Sequence, residues 1–271
     1  MVTDPWLRCR APRDAAAARV VCLPHAGGTA GYYAPWGTEL PRGVELSAVQ
    51  YPGREDRILE PPPARLDALV ADIAAALLPL TDRPLTLYGH SLGAVVAYEV
   101  ARRLETAYGV TPAHLVVSGR RAPSVPVCGD LHRRPDEELV AELARLGGTR
   151  AELLRDPGVR SVLLPAVRAD FALAETYTHR PGPPLACPVT AVIGTADTEV
   201  DEAQARRWAA HTTGAFAFHA LPGGHFFSVP DRAPVLALLA GATGAARPPD
   251  GAGRSAPDGL CPVPSESEST A

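Results

Sequence analysis

Apolar residues along this chain fall into short runs that alternate with longer stretches of helical period. Arg19-Val-Val-Cys-Leu23 is a brief apolar run that stops at Pro24, and Val44 to Gln50 is a second. Both are too short for a buried helix and end at Pro or Gly signals, which predicts buried strands. Between them Tyr32, Tyr33 and Trp36 recur at near-helical spacing and read as core aromatics. Leu66 to Leu80 carries apolar residues at 66, 69, 70, 73, 77 and 80, one face of a helix. Leu85, Leu87 and Tyr88 predict a third strand, and Ala94 to Leu104 is a helix-favouring apolar run. His114 to Ser118 adds a further short strand.

The alternation then breaks. Residues 124 to 135 are loop-like, and Asp136 to Leu146 predicts a helix with Asp136, Glu137 and Glu138 in its first turn, where acids suit the dipole. Gly147 and Gly148 end it, and Ala151 to Asp156 and Val159 to Tyr177 predict two more helices, the last bent at Pro165. A helical block at about 130–180 without strand signal, set in a strand-helix chain, predicts an inserted lid. Pro188 to Ile193 resumes the sheet, Glu202 to His211 predicts a helix, Phe216 to Leu221 a last strand and Pro230 to Ala242 a closing helix. Strand-helix alternation predicts an α/β class with a mostly parallel central sheet and helices on both faces. Residues 1–17 are polar and read as a loosely held arm, 18–243 as the folded domain, and 244–271, rich in Pro, Gly, Ser and acid, as a disordered tail.

Composition narrows the classes. With 271 residues and 46% hydrophobic content, the chain supports one large domain. A net charge of −4 gives no case for nucleic acid. All 26 basic residues are arginine, which with the Ala, Pro and Gly richness reads as GC-rich codon usage. Cys9, Cys22, Cys128, Cys187 and Cys261 are odd in number and never in C-x-x-C spacing, which argues against a disulfide framework or zinc site and fits a reducing cytoplasm. No apolar run approaches the length of a membrane span or signal sequence.

The chemistry centres on Gly89-His90-Ser91-Leu92-Gly93, a G-x-S-x-G pentapeptide set between a strand and a helix. In a nucleophile elbow the serine sits at a strained strand-to-helix turn, and the two glycines let strand and helix approach without a Cβ clash. Four loops ending predicted strands carry groups suited to acyl transfer: 24–29, 89–93, 194–201 and 222–226. Ser91, then an acid, then His225 is the chain order of an α/β-hydrolase triad. His225 is the expected general base. Asp197, just past Gly194, is the preferred acid; Glu199 and Asp201 are its rivals, and Asp201 alternatively caps the next helix. Backbone N–H groups of Leu92 and Ala26 are the expected oxyanion donors. His25 and His90 are expected to shape the site, and His114, His132, His179, His211 and His219 to be surface or structural. No metal or organic cofactor is expected.

Several longer motifs in order carry a specific resemblance: Leu23-Pro-His-Ala-Gly-Gly28, Tyr51-Pro-Gly-Arg-Glu-Asp-Arg57, Gly89-His-Ser-Leu-Gly93, Leu143-Ala-Arg-Leu-Gly-Gly148, Arg168-Ala-Asp-Phe171 and Pro222-Gly-Gly-His-Phe-Phe227. From Trp6 to about Ala242 the chain resembles the type II thioesterases, stand-alone α/β-hydrolases that accompany polyketide and nonribosomal peptide synthases. The resemblance implies hydrolysis of acyl groups from the phosphopantetheine arm of acyl or peptidyl carrier proteins, as editing of stalled or misloaded units. It places the nucleophile on Ser91, the base on His225, the acid on Asp197 and the oxyanion donors on Ala26 and Leu92. One departure is the acid loop, where the family usually has a second acid beside the glycine and this chain has Gly194-Thr195-Ala196. Carrier proteins are usually acidic, so Arg120 and Arg121 are candidate contacts. A cytoplasmic monomer is expected; an esterase or lipase on free small-molecule esters or acyl-CoA is the alternative, and a non-catalytic binding protein on a hydrolase scaffold the third reading.

Overall fold

The computed structural model describes residues 4–127, 129–147, 154 and 156–244. In chain order it contains β1 (Leu7–Arg8), β2 (Ala18–Leu23), α1 (Ala34–Glu39), β3 (Val44–Val49), α2 (Leu66–Leu77), β4 (Leu85–His90), α3 (Leu92–Tyr108) and β5 (His114–Ser118). After these come α4 (Asp136–Leu146), α5 (Pro157–Glu175), β6 (Val189–Gly194), α6 (Glu202–Arg206), β7 (Phe216–Leu221) and α7 (Ala233–Ala242). The strands form one seven-stranded sheet in the order β1-β3-β2-β4-β5-β6-β7. Only β1 runs antiparallel to its neighbour.

The strand alternation sorts the core into two layers. Val21, Leu23, Leu85, Leu87, Leu115 and Val117 pack with α2 and α3 on one face. Val20, Cys22, Tyr88, Val116 and Val192 pack on the other with Tyr33 and Trp36 and with Val235, Leu236 and Leu239 of α7. Every residue of β4 is buried, as a central parallel strand covered on both faces requires. Helix α3 ends at Gly109, whose φ of 66° is left-handed, while the Val110 N–H reaches the Leu104 carbonyl at 3.0 Å. Registers Leu23↔Gly89, His90↔Ser118 and Gly194↔Leu221 bring the carboxyl ends of β2, β4, β5, β6 and β7 to one side of the sheet. That edge is where open α/β sheets place their ligands.

Between β5 and β6 the described residues include α4 and α5 and no strand of the sheet. Leu139, Leu143, Leu154, Leu164 and Val167 form a small core of their own there. The expected 151–156 helix falls mostly outside the described residues, as does the expected disordered tail beyond Gly244. Residues 4–17 differ from the loosely held arm read from composition. Leu7 and Arg8 pair with Val49 and Ala48, and the Gln50 N–H donates to the Trp6 carbonyl at 2.7 Å. The Arg13 guanidinium donates to the carbonyls of Gly37, Leu40, Pro41 and Val44 at 2.5–3.0 Å. The segment is held both by these bonds to backbone carbonyls and by Trp6 and Leu7 packed against the core, contacts that composition does not register.

Candidate active site

Ser91 holds φ 54° and ψ −115°, one of two non-glycine residues with positive φ among those described. Such a conformation persists only where its surroundings enforce it. A Cβ on Gly89 would lie 2.0 Å from the Gly93 carbonyl oxygen, and one on Gly93 2.0 Å from that of Leu23. Both elbow glycines are therefore required by close backbone approach. The Ser91 N–H is tied to the Ser118 carbonyl at 2.8 Å. Although Ser91 occupies the N-cap position of α3, its hydroxyl makes no capping hydrogen bond, so it stays available for chemistry.

The loops after β6 and β7 deliver the acid and the imidazole. A Cβ on Gly194 would meet the Gly224 and Gly223 carbonyls at 2.2 and 2.5 Å, so the loops touch backbone to backbone. His225 Nδ1 lies 3.1 and 3.0 Å from the two carboxylate oxygens of Asp197, whose side chain is fully buried. Asp197 Oδ1 also accepts the Glu199 N–H at 2.8 Å. The rival acids are engaged elsewhere: Glu199 pairs with Arg145 of α4, and Asp201 caps α6 in a reciprocal box with Gln204. A cavity of about 280 Å³ is lined by Ser91, His225, Ala26, His25, Phe226, Arg120, Arg121 and residues of α4 and α5. Ser91 and His225 make no hydrogen bond to each other among the described residues, a contact that commonly tightens only with substrate. A larger cleft of about 620 Å³ between α2, α3 and the end of α5 contains arginines and acids but no nucleophile-base pair.

Leu92, the first residue of α3, and Ala26, in the loop after β2, flank the elbow. Among the described residues neither backbone N–H has a hydrogen-bond acceptor, which is uncommon for backbone donors in a packed region. Arg120 and Arg121 do not form an outer rim. The Arg120 guanidinium donates to the Ala174 carbonyl at 3.0 Å and that of Arg121 to the Glu199 carbonyl at 2.5 Å, so both are built into the cavity wall.

Sequence reading missed a buried ion pair behind the Ala26 loop. Arg54 and Asp170, with side chains 4% and 0% exposed, meet through two parallel contacts of 2.5 and 2.9 Å. Both lie in motifs that carried the resemblance, but nothing in the sequence joins positions 116 residues apart.

Several histidines are held neutral. Burial pushes His25 down to about 3, with His225 and Arg54 adding to the effect. His90, bonded to the Ser118 hydroxyl at 2.9 Å, is pushed well below the usual value by burial and then by His225 and His25. His211, between Tyr98 and Ser124, is pushed down to about 4 by burial and by His179 and the nearby arginines. His25 and His90 thus surround His225 as uncharged rings, with centroid separations of 5.9 Å between them and 5.0 Å from His90 to His225. The unfolded chain binds protons that the folded chain excludes once pH falls below about 6.5. Stability is complete above that value and is lost as pH falls toward 4. The urea midpoint is expected to fall steeply between pH 7 and 5, and a flat profile would contradict these burials.

The thioesterase domain model matches residues 18–239, and the chain belongs to that family: it is a thioester hydrolase of α/β-hydrolase fold. It is 44% identical over 223 residues to thioesterase PikA5 of Streptomyces venezuelae, covering 82% of this chain and 79% of that one. It is also 44% identical over 222 residues to the Streptomyces griseus protein named "Probable cadicidin biosynthesis thioesterase", covering 82% of this chain and 61% of that longer one. The structure of the type II thioesterase BorB from the borrelidin biosynthetic cluster superposes with a TM-score of 0.80 at 40% identity, covering 90% of this chain and 98% of that one. Among the described residues no helix is long and apolar enough to cross a membrane.

Proposed function

We propose that this chain releases acyl groups from the phosphopantetheine arm of acyl or peptidyl carrier proteins, editing stalled or misloaded units of a modular synthase. The observation that carries the catalytic part is the strained Ser91 beside an Asp197-braced His225 in one cavity. His225 Nε2 takes the Ser91 proton as Oγ attacks the thioester carbonyl. The developing oxyanion is held by the N–H groups of Ala26 and Leu92. The C–S bond then breaks, the thiolate leaves with the proton from His225, and an acyl-serine remains. Water, deprotonated by His225, attacks that ester; the tetrahedral species collapses to free acid, and Ser91 recovers its proton. Asp197 holds the imidazole in the Nδ1–H tautomer throughout. Protein groups and water suffice for every step.

The carrier part draws support from solved relatives described as type II thioesterases, one from the borrelidin biosynthetic cluster and one from the yersiniabactin NRPS/PKS biosynthetic pathway. It is tested by comparing kcat/KM for one acyl group presented on a carrier protein and as a free oxygen ester. Carrier thioester is expected to be preferred by at least about tenfold, or 1.4 kcal/mol of transition-state binding. Preference for the free ester would replace this reading with that of a small-molecule esterase.

A further inference from the structure

The loop that carries Ala26 has little internal hydrogen bonding: one bond, from the Gly28 N–H to the His25 carbonyl at 2.9 Å, closes its turn. Its position is set from outside. The Gly27 N–H donates to Asp170 Oδ2 at 2.8 Å, so α5 of the lid reaches the residue that follows Ala26. Val167, one turn earlier on α5, fills the space where a Gly27 Cβ would stand, 3.1 Å away, and Gly27 itself holds φ +74°. Arg54 completes the clamp. Its Nη1 donates to the same Asp170 oxygen and, at 3.3 Å, to the Gly28 carbonyl, while Nε donates to the Pro52 carbonyl at 3.3 Å. Behind it the Gln50 amide donates to the Arg54 carbonyl at 3.1 Å and accepts the Ala30 N–H at 2.9 Å.

Buried ion pairs contribute little net stability, because the desolvation of two charges offsets their attraction. The arrangement is better explained by what its lone pairs hold. We propose that Asp170 is a positioning residue for the oxyanion loop: by holding the Gly27 N–H it fixes the peptides after Ala26, and hence the Ala26 N–H, and ties formation of the oxyanion hole to the seating of α5. Arg54 keeps the Asp170 carboxylate oriented toward Gly27. The inference rests on the proposed role of Ala26 as oxyanion donor. It gives the lid a part in catalysis apart from covering the substrate, since an α5 drawn away from the sheet withdraws the acceptor from Gly27.

Two single substitutions separate position from charge. Asp170→Asn keeps an oxygen where Gly27 needs it and gives up the ion pair; Asp170→Glu keeps the charge and moves the oxygens by one methylene. Both are assayed with a small soluble thioester, for affinity toward a trifluoromethyl ketone that forms a tetrahedral adduct on serine, and for melting temperature. A positioning role predicts that Asp170→Glu lowers kcat by about 30-fold or more at nearly constant KM, a large part of the value of one oxyanion donor, and weakens the ketone by a similar factor. Asp170→Asn is expected to melt lower than Asp170→Glu yet to lose less than about fivefold in kcat. The reverse activity order, or a kcat loss with unchanged ketone affinity, would overturn the proposal. Should Asp170→Glu fail to fold, Asp170→Asn decides: a loss above about 30-fold in kcat overturns it, and a smaller loss that tracks ketone affinity supports it. Ser91→Ala in the same assay separates the two levels. If it retains activity the catalytic reading itself fails; if it abolishes activity while the Asp170 pair shows no such order, only the positioning role fails.

Discussion

Ser91→Ala is expected to lower kcat for thioester hydrolysis by about 10⁶-fold, the loss seen when a triad serine is removed from comparable enzymes. What remains is the rate supplied by oxyanion donors and binding alone. The same substitution should leave the fold intact, because the Ser91 side chain caps nothing and its N–H bond to Ser118 is backbone to backbone. The strain at this position gives an independent check. Alanine inherits the positive φ of the elbow, whereas glycine adopts it freely. Ser91→Gly should therefore be more stable than Ser91→Ala by about 1 kcal/mol, although both are inactive. Equal melting temperatures would mean that the elbow is unstrained, and wild-type rates in either variant would place the nucleophile elsewhere.

Asp197→Asn is expected to cost about 10⁴-fold in kcat, with KM nearly unchanged. The carboxylate places both oxygens within 3.1 Å of His225 Nδ1, which selects the tautomer with Nε2 free to accept the serine proton. An asparagine at that site also accepts the Glu199 N–H and can present its amide N–H to Nδ1, which favours the wrong tautomer. Glu199→Gln removes an ion pair with Arg145 whose partners are 37% and 46% exposed, and such surface pairs contribute little. Its effect on kcat should be slight. A larger loss at Glu199 than at Asp197 would reassign the acid.

The strands and their loops were legible because period and punctuation agree. Leu85 to His90 is short, carries Leu85, Leu87 and Tyr88, and is closed by an elbow; it is the central, fully buried strand. Helix α2 was legible at its start but not its end. It stops at Leu77 and tightens into a 3₁₀ turn over Leu78–Leu80, since Pro79 has no N–H to continue the ladder. Glu202–His211 divides in the same way, into α6 and a 3₁₀ turn from Arg207. Strand β1 is two residues long, below the length at which alternation carries a signal, and only pairing with β3 reveals it. Chain order and spacing favour Asp197 over Glu199 and Asp201, and the cap at Asp201 is legible from its place before α6, but the Arg145 pair at Glu199 joins positions 54 residues apart and leaves no local signal. The Arg54–Asp170 pair was invisible for a different reason: a bond between a loop and a lid helix 116 positions apart leaves no periodic trace in either segment. Arg120 and Arg121 show the opposite case. Adjacent arginines suggest a solvated, partner-facing patch, yet each guanidinium donates to a backbone carbonyl and lines the cavity.

The most direct test of the account is intact-protein mass spectrometry of an acyl-loaded carrier protein incubated with wild type and with Ser91→Ala side by side. Loss of the acyl mass with wild type, and its retention with the variant, is the predicted result. Acyl groups that persist on a broad panel of carriers with folded wild type, or that vanish equally with both proteins, would contradict it.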